Sequence, residues 1–413
     1  MKYEVVMFNM SNFSEWEKGV TNRNRQIFTQ LTLNKKVSQI VAIDYLPFTL
    51  KRALKNYFSD IFKKNDQSKV VYKDKTSQCS IIQEDNPKIY HLSTIDLLFG
   101  SKKAQKKIEK ILKIISDPSL TRIIWSYFPV DTFYFKIKND LTVFDAVDNW
   151  IYHSSYKRWK RRLKRNYKKI ANKADIIFTL NENLKNFFIL LGRNENIYSI
   201  SNGVDYSHFQ KKDIFFDEKI GSIIRPIVGY VGIIDFFRLD FDLINYLIKN
   251  HPQKSFVFIG PVWPIYFQKI HPQAKKIRQI KKYPNVYFLG HISYDKMPYY
   301  IKQFDVAIAP YQFSLFTKYT SSLKILEYLA SGLPVVSTPI AGADNLKNII
   351  YLASDYPTFS ENIDLALAEN SSQRRRLRRE AAKKEDWKYK VEEMMEIVDK
   401  KINEKNKNTE NLK

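Results

Sequence analysis

The chain has 413 residues, of which 44% are hydrophobic and 15% aromatic, so global disorder is excluded and two domains, each with its own core, are expected. The formal net charge of +25 predicts attraction to polyanions without distinguishing nucleic acid from an anionic membrane surface. The single cysteine, Cys79, excludes an internal disulfide and a cysteine-based metal site.

Short strand-like runs alternate with helical stretches through the first half of the chain. This alternation predicts a parallel sheet wrapped by helices. The expected strands are 3–7, 39–44, 89–92, 122–127, 141–147, 175–179 and 197–201. Since the chain has no run of about 18 apolar residues, and Met1 to Met10 has neither a basic flank nor a cleavage site, we expect a cytoplasmic protein that does not span a membrane.

A strongly basic helix is predicted between Lys157 and Lys173, where ten Lys or Arg residues occur without an acid. Apolar residues at helical spacing form one stripe from Tyr152 to Ile170. Two interpretations stay open. The helix either packs its stripe into the core beneath a solvated cationic face, or lies over residues 152–173 on an anionic membrane surface, peripheral to the membrane.

The second half repeats the alternation of strands and helices, so we predict two doubly wound domains. Its expected strands are 226–231, 255–259, 285–289, 305–309, 334–337 and 348–352. The join lies between Val204 and Arg225, where the chain is charged and weakly periodic. We therefore predict an N-terminal domain at 1–204, a second domain at 222–371 and a helical segment at 372–402.

Glycines mark the ends of many predicted elements. They are scarce, 11 in all, and stand where a backbone can approach a ligand at the carboxyl ends of strands. Those concerned are Gly203, Gly232, Gly260, Gly290, Gly332 and Gly342. Together they point to one edge of the second sheet as the binding surface.

Residues 319–338 read as a helix that precedes a buried strand. Ser321 and Ser322 suit the N-terminal cap, and Gly332 suits the left-handed position after the last turn. Free amides at a helix start bind phosphate readily. Lys324 adds a positive charge that the helix dipole disfavours and that a bound anion would compensate. The alternative is an ordinary capped helix.

This segment resembles the nucleotide-sugar-binding helix of GT-B glycosyltransferases, in particular the bacterial family-4-like enzymes that build cell-surface polysaccharides. Other segments resemble the same family in order along nearly the whole chain. They are Trp16 with 22–26, 125–129, 143–150, 201–209, 229–240, 258–261 and 288–291. The sequence departs from the family at Tyr319, where many relatives have a second glutamate that contacts the transferred sugar.

The resemblance implies an α/β protein of the GT-B fold, in which two Rossmann-like, doubly wound domains face each other across a cleft and a C-terminal helix returns to the N-terminal domain. It also implies a nucleotide-sugar donor, often a UDP-sugar, bound mainly by the second domain, an acceptor bound by the first, and no bound metal. The glutamate matching Glu327 holds the donor ribose, and the amides matching Ser322 and Leu323 hold the diphosphate. The residues expected to line the nucleobase pocket are Gly260, Pro261, His291 and Ile292.

Candidate catalytic groups follow two predicted strands. Gly232 opens the end of a strand, and Arg238 on the next loop is placed to stabilise a departing nucleoside diphosphate, with Lys324 as a second cation. Surface pairing of Arg238 with Asp235 or Asp240 is the alternative.

Asp145 and Asp148 stand three residues apart at the end of another strand, which is expected to face the cleft. A carboxylate there can take a proton from an acceptor hydroxyl or bind sugar hydroxyls. Capping of the following helix is an equally supported role for Asp148.

The sequence thus predicts an enzyme, a glycosyltransferase that moves a hexose to a lipid-linked or polysaccharide acceptor in cell-surface glycan synthesis. One alternative is a GT-B enzyme that epimerises or phosphorolyses a sugar nucleotide. Another is a basic protein that binds nucleic acid through the Lys157–Lys173 helix, although we expect no nucleic-acid partner.

Overall fold

A computed structural model describes residues 1–17, 19–44, 69–211, 217–263, 272–340, 343, 346–369 and 371–410. Residues 212–216 of the predicted join and Gly342 lie outside this part. The chain forms two compact units. The first contains Met1–Ile151, Ser155–Ile200 and Val391–Lys413, and the second contains Tyr152–Ser154 and Ser201–Lys390.

The first unit is built on a sheet whose strands are β1 (Tyr3–Phe8), β2 (Val37–Asp44), β3 (Lys69–Lys73), β4 (Ser77–Gln83), β5 (Lys88–Thr94), β6 (Thr121–Ser126), β7 (Leu141–Ala146), β8 (Ile176–Thr179) and β9 (Ile197–Ser199). Their order is β3-β4-β5-β2-β1-β6-β7-β8-β9. In this order, each strand from β5 to β9 is parallel to its neighbours in that part of the sheet. Strand β4 is antiparallel to both β3 and β5. The central strands are buried along their whole length, as expected for a parallel sheet covered on both faces.

The helices of the first unit are α1 (Phe13–Glu17), α2 (Arg23–Thr32), α3 (Ser101–Ile115), α4 (Lys160–Lys173) and α5 (Glu182–Leu190). Side-chain caps fix two of the starts: Asn22 accepts from the Arg25 amide at 3.0 Å, and Asn181 accepts from the Leu184 amide at 2.9 Å. The predicted basic helix is α4, and its apolar stripe from Leu163 to Ile170 is buried in the core of the first unit.

The second unit is built on a parallel sheet of six strands. Its strands and a short separate pair, β11 with β13, are β10 (Ile227–Val231), β11 (Ile234–Asp235), β12 (Ser255–Ile259), β13 (Val262–Trp263), β14 (Val286–Gly290), β15 (Val306–Ala309), β16 (Val335–Ser337) and β17 (Tyr351–Leu352). The order β14-β12-β10-β15-β16-β17 reverses direction between β10 and β15, and such a reversal is where open α/β sheets bind ligands.

The remaining helices are α6 (Tyr206–Phe209), α7 (Glu218–Gly221), α8 (Phe241–Asn250), α9 (Pro272–Ile280), α10 (Met297–Lys302), α11 (Leu323–Ala330), α12 (Tyr356–Ala368), α13 (Ser372–Lys384) and α14 (Trp387–Glu410). Of the predicted strand 348–352 only β17 forms, because the amides of Ile349 and Ile350 both donate to Leu346 O in a turn.

The predicted helical segment 372–402 is divided between the units. Helix α13 packs on α11 in the second unit. From Val391 onward α14 belongs to the first unit, where Asp399 accepts hydrogen bonds from Tyr3 and Lys36. In the described part of the chain, no helix combines the length and the apolar character needed to cross a bilayer.

Candidate functional site

Glycine backbones form the carboxyl edge of the second sheet. Gly232 follows β10 with φ of +147°, and Gly260 follows β12 with φ of +137°. The Gly232 amide donates to Ile259 O at 2.9 Å, and a Cβ placed on Gly260 would lie 2.0 Å from Gly232 O. Only glycine fits at Gly260, so the two strand ends lie in direct backbone contact.

The residues expected at the nucleobase lie at the same edge. The Gly260 amide donates to Gly290 O at 2.7 Å, which brings the ends of β12 and β14 together. Pro261 and His291 are exposed there, while Ile292 is half-buried. The structure therefore brings these predicted residues together on one surface of the second unit.

Arg238 lies on the loop after β11, where it pairs with Asp235. Its Nη1 is 3.1 Å from Asp235 Oδ2, and its amide donates to Asp235 Oδ1 at 2.8 Å. The guanidinium also lies over the Phe316 ring at 5.6 Å. Asp240 instead caps α8 through the Asp242 and Leu243 amides. Of the two acids suggested as surface partners, Asp235 is the one that holds Arg238, and the arginine remains half-exposed.

The start of α11 is open to a ligand. Ser322 stands at the N-cap position with an extended backbone, and residues 321–324 are half-buried rather than sealed inside the protein. Among the described residues, no acceptor is found for the backbone amides of Ser322, Leu323 and Lys324. Unmatched amides at the positive end of a helix dipole are suited to bind an anion.

Two charged side chains meet on the first turns of α11. Lys324 Nζ lies 3.0 Å from Glu327 Oε2. Glu327 is only 5% exposed, so its carboxylate is held in place beside the helix start. The unfavourable position of Lys324 near the positive end of the dipole is therefore partly compensated by Glu327 before any anion binds.

The two predicted acids of the first unit have different surroundings. Asp145, on β7, is fully buried and accepts hydrogen bonds from Arg23 Nε at 2.9 and 3.1 Å. Burial raises the pKa of this carboxyl, and Arg23 opposes that rise. Asp145 was expected to face an open cleft. In the structure its side chain is buried against Arg23 and is not exposed.

Asp148 is half-exposed, just beyond the end of β7. Its backbone carbonyl accepts from Tyr167 Oη at 3.1 Å. Asp148 is not at the N-cap position of the following helix, because the next helical turn begins only at Ser154.

Sequence reasoning did not select two residues that adjoin the helix start. Tyr311 follows β15 at the reversal of strand order, and its hydroxyl lies 3.0 Å from Ser322 Oγ. The side-chain amide of Asn202 donates to Ser321 O at 3.1 Å. The position of Tyr311 directly after a predicted strand of the second sheet was the available signal.

His153 also belongs to the second unit, where its ring lies 4.9 Å from Phe316 and 5.4 Å from Phe237. Burial, followed by the charge of Arg238, lowers the pKa of His153 to about 4. His153 is therefore neutral near pH 7. The described residues contain no group of three or more His, Cys, Asp or Glu side chains that could hold a metal ion.

The glycine edge and the start of α11 lie within a segment that matches a known family. Residues 226–369 match the family model described as glycosyl transferases group 1. Over 199 residues the chain is 27% identical to the "putative teichuronic acid biosynthesis glycosyltransferase TuaH" of Bacillus subtilis (strain 168). The match covers 47% of this chain, and the chain spans about half, 48%, of the length of that curated relative.

Solved structures share the fold over nearly the whole chain. Anabaena Alr3699/HepE in complex with UDP and glucose has a TM-score of 0.64 at 12% identity, covering 97% of this chain and 100% of its own. The sucrose-phosphate synthase of Thermosynechococcus elongatus has a TM-score of 0.67 at 14% identity, with 97% and 99% covered. TarM has a TM-score of 0.61 at 14% identity, with 96% and 98% covered.

These likenesses confirm the predicted fold. The chain has the α/β GT-B fold with two Rossmann-like domains. The match of residues 226–369 to glycosyl transferases group 1 agrees with the predicted resemblance to the family-4-like GT-B glycosyltransferases.

Proposed function

We propose that this chain is a glycosyltransferase that moves a hexose from a nucleotide-sugar, a UDP-sugar, to a lipid-linked or polysaccharide acceptor in cell-surface glycan synthesis. The observation that carries the proposal is the open start of α11, with unmatched amides at Ser322, Leu323 and Lys324. The UDP bound in Anabaena Alr3699/HepE and the teichuronic acid pathway of the Bacillus subtilis relative support the donor and acceptor classes.

Donor binding is assigned to the second unit. The diphosphate would accept hydrogen bonds from the Ser322 and Leu323 amides, and Lys324 would supply a full positive charge beside them. Glu327 would accept hydrogen bonds from the two ribose hydroxyls, for which its buried and fixed carboxylate is suited. Gly232, Gly260 and the exposed residues after β12 and β14 would leave room for the rest of the nucleotide.

Arg238 is the group proposed to stabilise the leaving nucleoside diphosphate. The bond from the anomeric carbon to the diphosphate oxygen breaks with its electron pair, so negative charge grows on that oxygen. Arg238 is half-exposed and already oriented by Asp235, which reduces the reorganisation needed to meet this charge. Helix amides and these two cations would together neutralise the diphosphate.

Acceptor chemistry is assigned to the first unit. Asp148, half-exposed at the end of β7, is the carboxylate proposed to receive the proton of the acceptor hydroxyl. Asp145 would act indirectly, because its buried pair with Arg23 fixes the end of the strand that carries Asp148.

We also propose that the enzyme works at an anionic membrane surface, held by α4. The apolar stripe of this helix is buried in the first unit, so it is not available for insertion into lipid. Its outward residues, among them Lys164, Arg165 and Lys168, are exposed cations. Attraction would therefore be electrostatic, with about 1 kcal/mol from each basic residue near the surface.

The function is tested by thermal shift with a panel of UDP-, GDP- and ADP-linked sugars. We expect a UDP-sugar to raise the unfolding midpoint, because a ligand that binds only the native state stabilises it by mass action. Glu327→Ala should lose this shift, while Glu361→Ala, an exposed carboxylate on α12, should keep it. A shift that survives Glu327→Ala would contradict the assignment of the ribose site.

The reaction itself is tested with the UDP-sugar that binds and membrane lipid extract. Glycosylated lipid is the expected product. Release of a free epimer or of a sugar phosphate, without glycosylated lipid, would instead support an epimerase or a phosphorylase.

A further inference from the structure

The start of α11 has a serine at the N-cap that does not cap its helix. Serine at an N-cap normally accepts a hydrogen bond from the amide two or three residues on. Ser371 does this at the start of α13, where its Oγ accepts from the Arg374 amide at 3.2 Å. Ser322 occupies the same position at the start of α11, yet its side chain makes no capping hydrogen bond.

The Ser322 hydroxyl is held by Tyr311 instead. The two side-chain oxygens lie 3.0 Å apart. Tyr311 is itself fixed, because its amide lies 3.2 Å from Thr338 Oγ1 and its carbonyl accepts from the same hydroxyl at 2.9 Å. Burial raises the pKa of Tyr311, so the phenol stays neutral and keeps this hydrogen bond at physiological pH.

The side chain of Asn202, which contacts the residue before the N-cap, also has an atom without a hydrogen-bond partner among the described residues. The side-chain amide of Asn202 donates to Ser321 O, one residue before the N-cap. Its Oδ1 is buried and has no hydrogen-bond partner within the described part of the chain. Asn202 is 4% exposed, so this oxygen is not simply hydrated in bulk solvent. Because Oδ1 is an acceptor, a hydroxyl of the ligand, and not its phosphate, would satisfy it.

We propose that Tyr311 is a positioning residue that keeps the phosphate site of α11 empty for its ligand. This inference rests on the proposed function. By retaining the Ser322 hydroxyl, Tyr311 prevents that hydroxyl from capping its own helix, and the first-turn amides stay available for a pyrophosphate. Without Tyr311 Oη, the serine would turn to the Lys324 or the Ile325 amide, and a pyrophosphate that binds the first-turn amides would have to displace it.

The test is a double-mutant cycle with UDP as the probe, measured by isothermal titration calorimetry. The proteins are the wild type, Tyr311→Phe, Ser322→Ala and the double variant. We expect Tyr311→Phe to weaken UDP binding about fivefold when Ser322 is present, which corresponds to about 1 kcal/mol. In the Ser322→Ala background the same change should have an effect smaller than twofold, because no hydroxyl is left to compete.

The possible outcomes separate the two proposals. If the wild type binds none of UDP, GDP and ADP, the proposed function fails. If it binds UDP and Tyr311→Phe weakens binding equally in both backgrounds, or in neither, then Tyr311 does not act through Ser322 and the inference is wrong.

A second measurement does not depend on the folding of any variant. In the ligand-free wild type, hydrogen exchange at the Ile325 amide should be faster than at the Arg374 amide, which Ser371 caps. Added UDP should slow exchange at Ile325 and leave Arg374 unchanged. Slow exchange at Ile325 without ligand would overturn the inference.

Discussion

The carboxyl edges of the two sheets are built from different groups. In the first unit, buried side chains satisfy one another: Arg23 pairs with Asp145, and Asp44 accepts from Asn9 Nδ2 at 2.9 Å and from the Phe13 amide at 2.6 Å. In the second unit the edge consists of glycine backbone and the unmatched amides of α11. These side chains of the first edge already have partners, whereas the first-turn amides of α11 have no acceptor among the described residues and are suited to an anion.

This difference predicts where each edge is sensitive to substitution. Changes at the first edge should act on folding, because they leave buried charges without partners. Changes at the second should act mainly on ligand binding. The variants below test this contrast, beginning with the largest expected effect on stability.

Arg23→Met should have the largest effect. It removes the partner of a fully buried carboxylate, and loss of one member of a buried ion pair typically costs about 3–5 kcal/mol of unfolding free energy. Urea denaturation measures the loss. The control is Arg23→Met combined with Asp145→Leu, which removes both charges and should recover most of the stability. Equal losses in the single and the double variant would show that packing, not charge, is responsible.

Gly260→Ala should destabilise less but abolish the UDP-induced thermal shift. A positive φ costs about 1–3 kcal/mol in a non-glycine residue, and the new Cβ would also displace the Gly232 carbonyl from the edge of the sheet. Gly192→Ala is the matched control, since φ there is +96° and nothing lies within 4 Å of the added Cβ. Gly192→Ala should lose only the unfolding free energy that a positive φ costs, and it should keep the thermal shift induced by UDP. Loss of the shift in both variants would contradict a local role for Gly260.

The stability of the second unit should fall as the pH is lowered from about 6.5 to 4. Because the pKa of His153 is lowered to about 4, the folded state binds fewer protons than the unfolded state over this interval. Acidification therefore favours unfolding until the pH passes the folded-state pKa. Urea midpoints measured across the interval should decline less steeply for His153→Gln than for the wild type. Parallel declines would show that His153 does not carry this pH dependence.

The amino-acid pattern was sufficient to predict where the six strands of the second sheet lie, although the last strand is shorter than expected. Runs such as Ile227–Val231 and Ser255–Ile259 are apolar and β-branched or aromatic, which is the signature of a strand buried on both faces. The hairpin strands β3 and β4 were not predicted. Lys69–Lys73 is largely exposed at the sheet edge, and Ser77–Gln83 is rich in polar residues, so neither has a clear apolar pattern.

Contacts distant in sequence were beyond prediction. Arg23 and Asp145 are separated by 122 positions, and nothing in the sequence around either residue indicates that the two side chains pair. The Tyr311 contact to Ser322 spans only 11 positions, yet it depends on how the loop after β15 returns to the helix. Local pattern indicated a binding edge, and tertiary packing decided which side chains prepare it.

The smallest effects on stability are expected from exposed cations, where the two units differ again. The α4 segment has no acid between Lys157 and Lys173, whereas on α13 Arg374 and Arg376 pair with Glu369 and Glu380. In one variant of each helix, four Lys or Arg residues are replaced by glutamine, so the two variants lose the same formal charge. On α4 the positions are Arg161, Lys164, Arg165 and Lys168, and on α13 they are Arg375, Arg376, Lys383 and Lys384.

Each of these substitutions should change the unfolding free energy by no more than about 0.5 kcal/mol, because single surface substitutions rarely exceed that amount. In flotation with vesicles that contain phosphatidylserine, the α4 variant should bind at least tenfold more weakly than the wild type, and the α13 variant should bind nearly as well as the wild type. Binding of the wild type should also decline as salt is raised, because exposed charges are screened. Equal binding of the wild type to neutral vesicles would reject an electrostatic attachment. Equal losses in the two variants would instead indicate a response to net charge and no special role for the first unit.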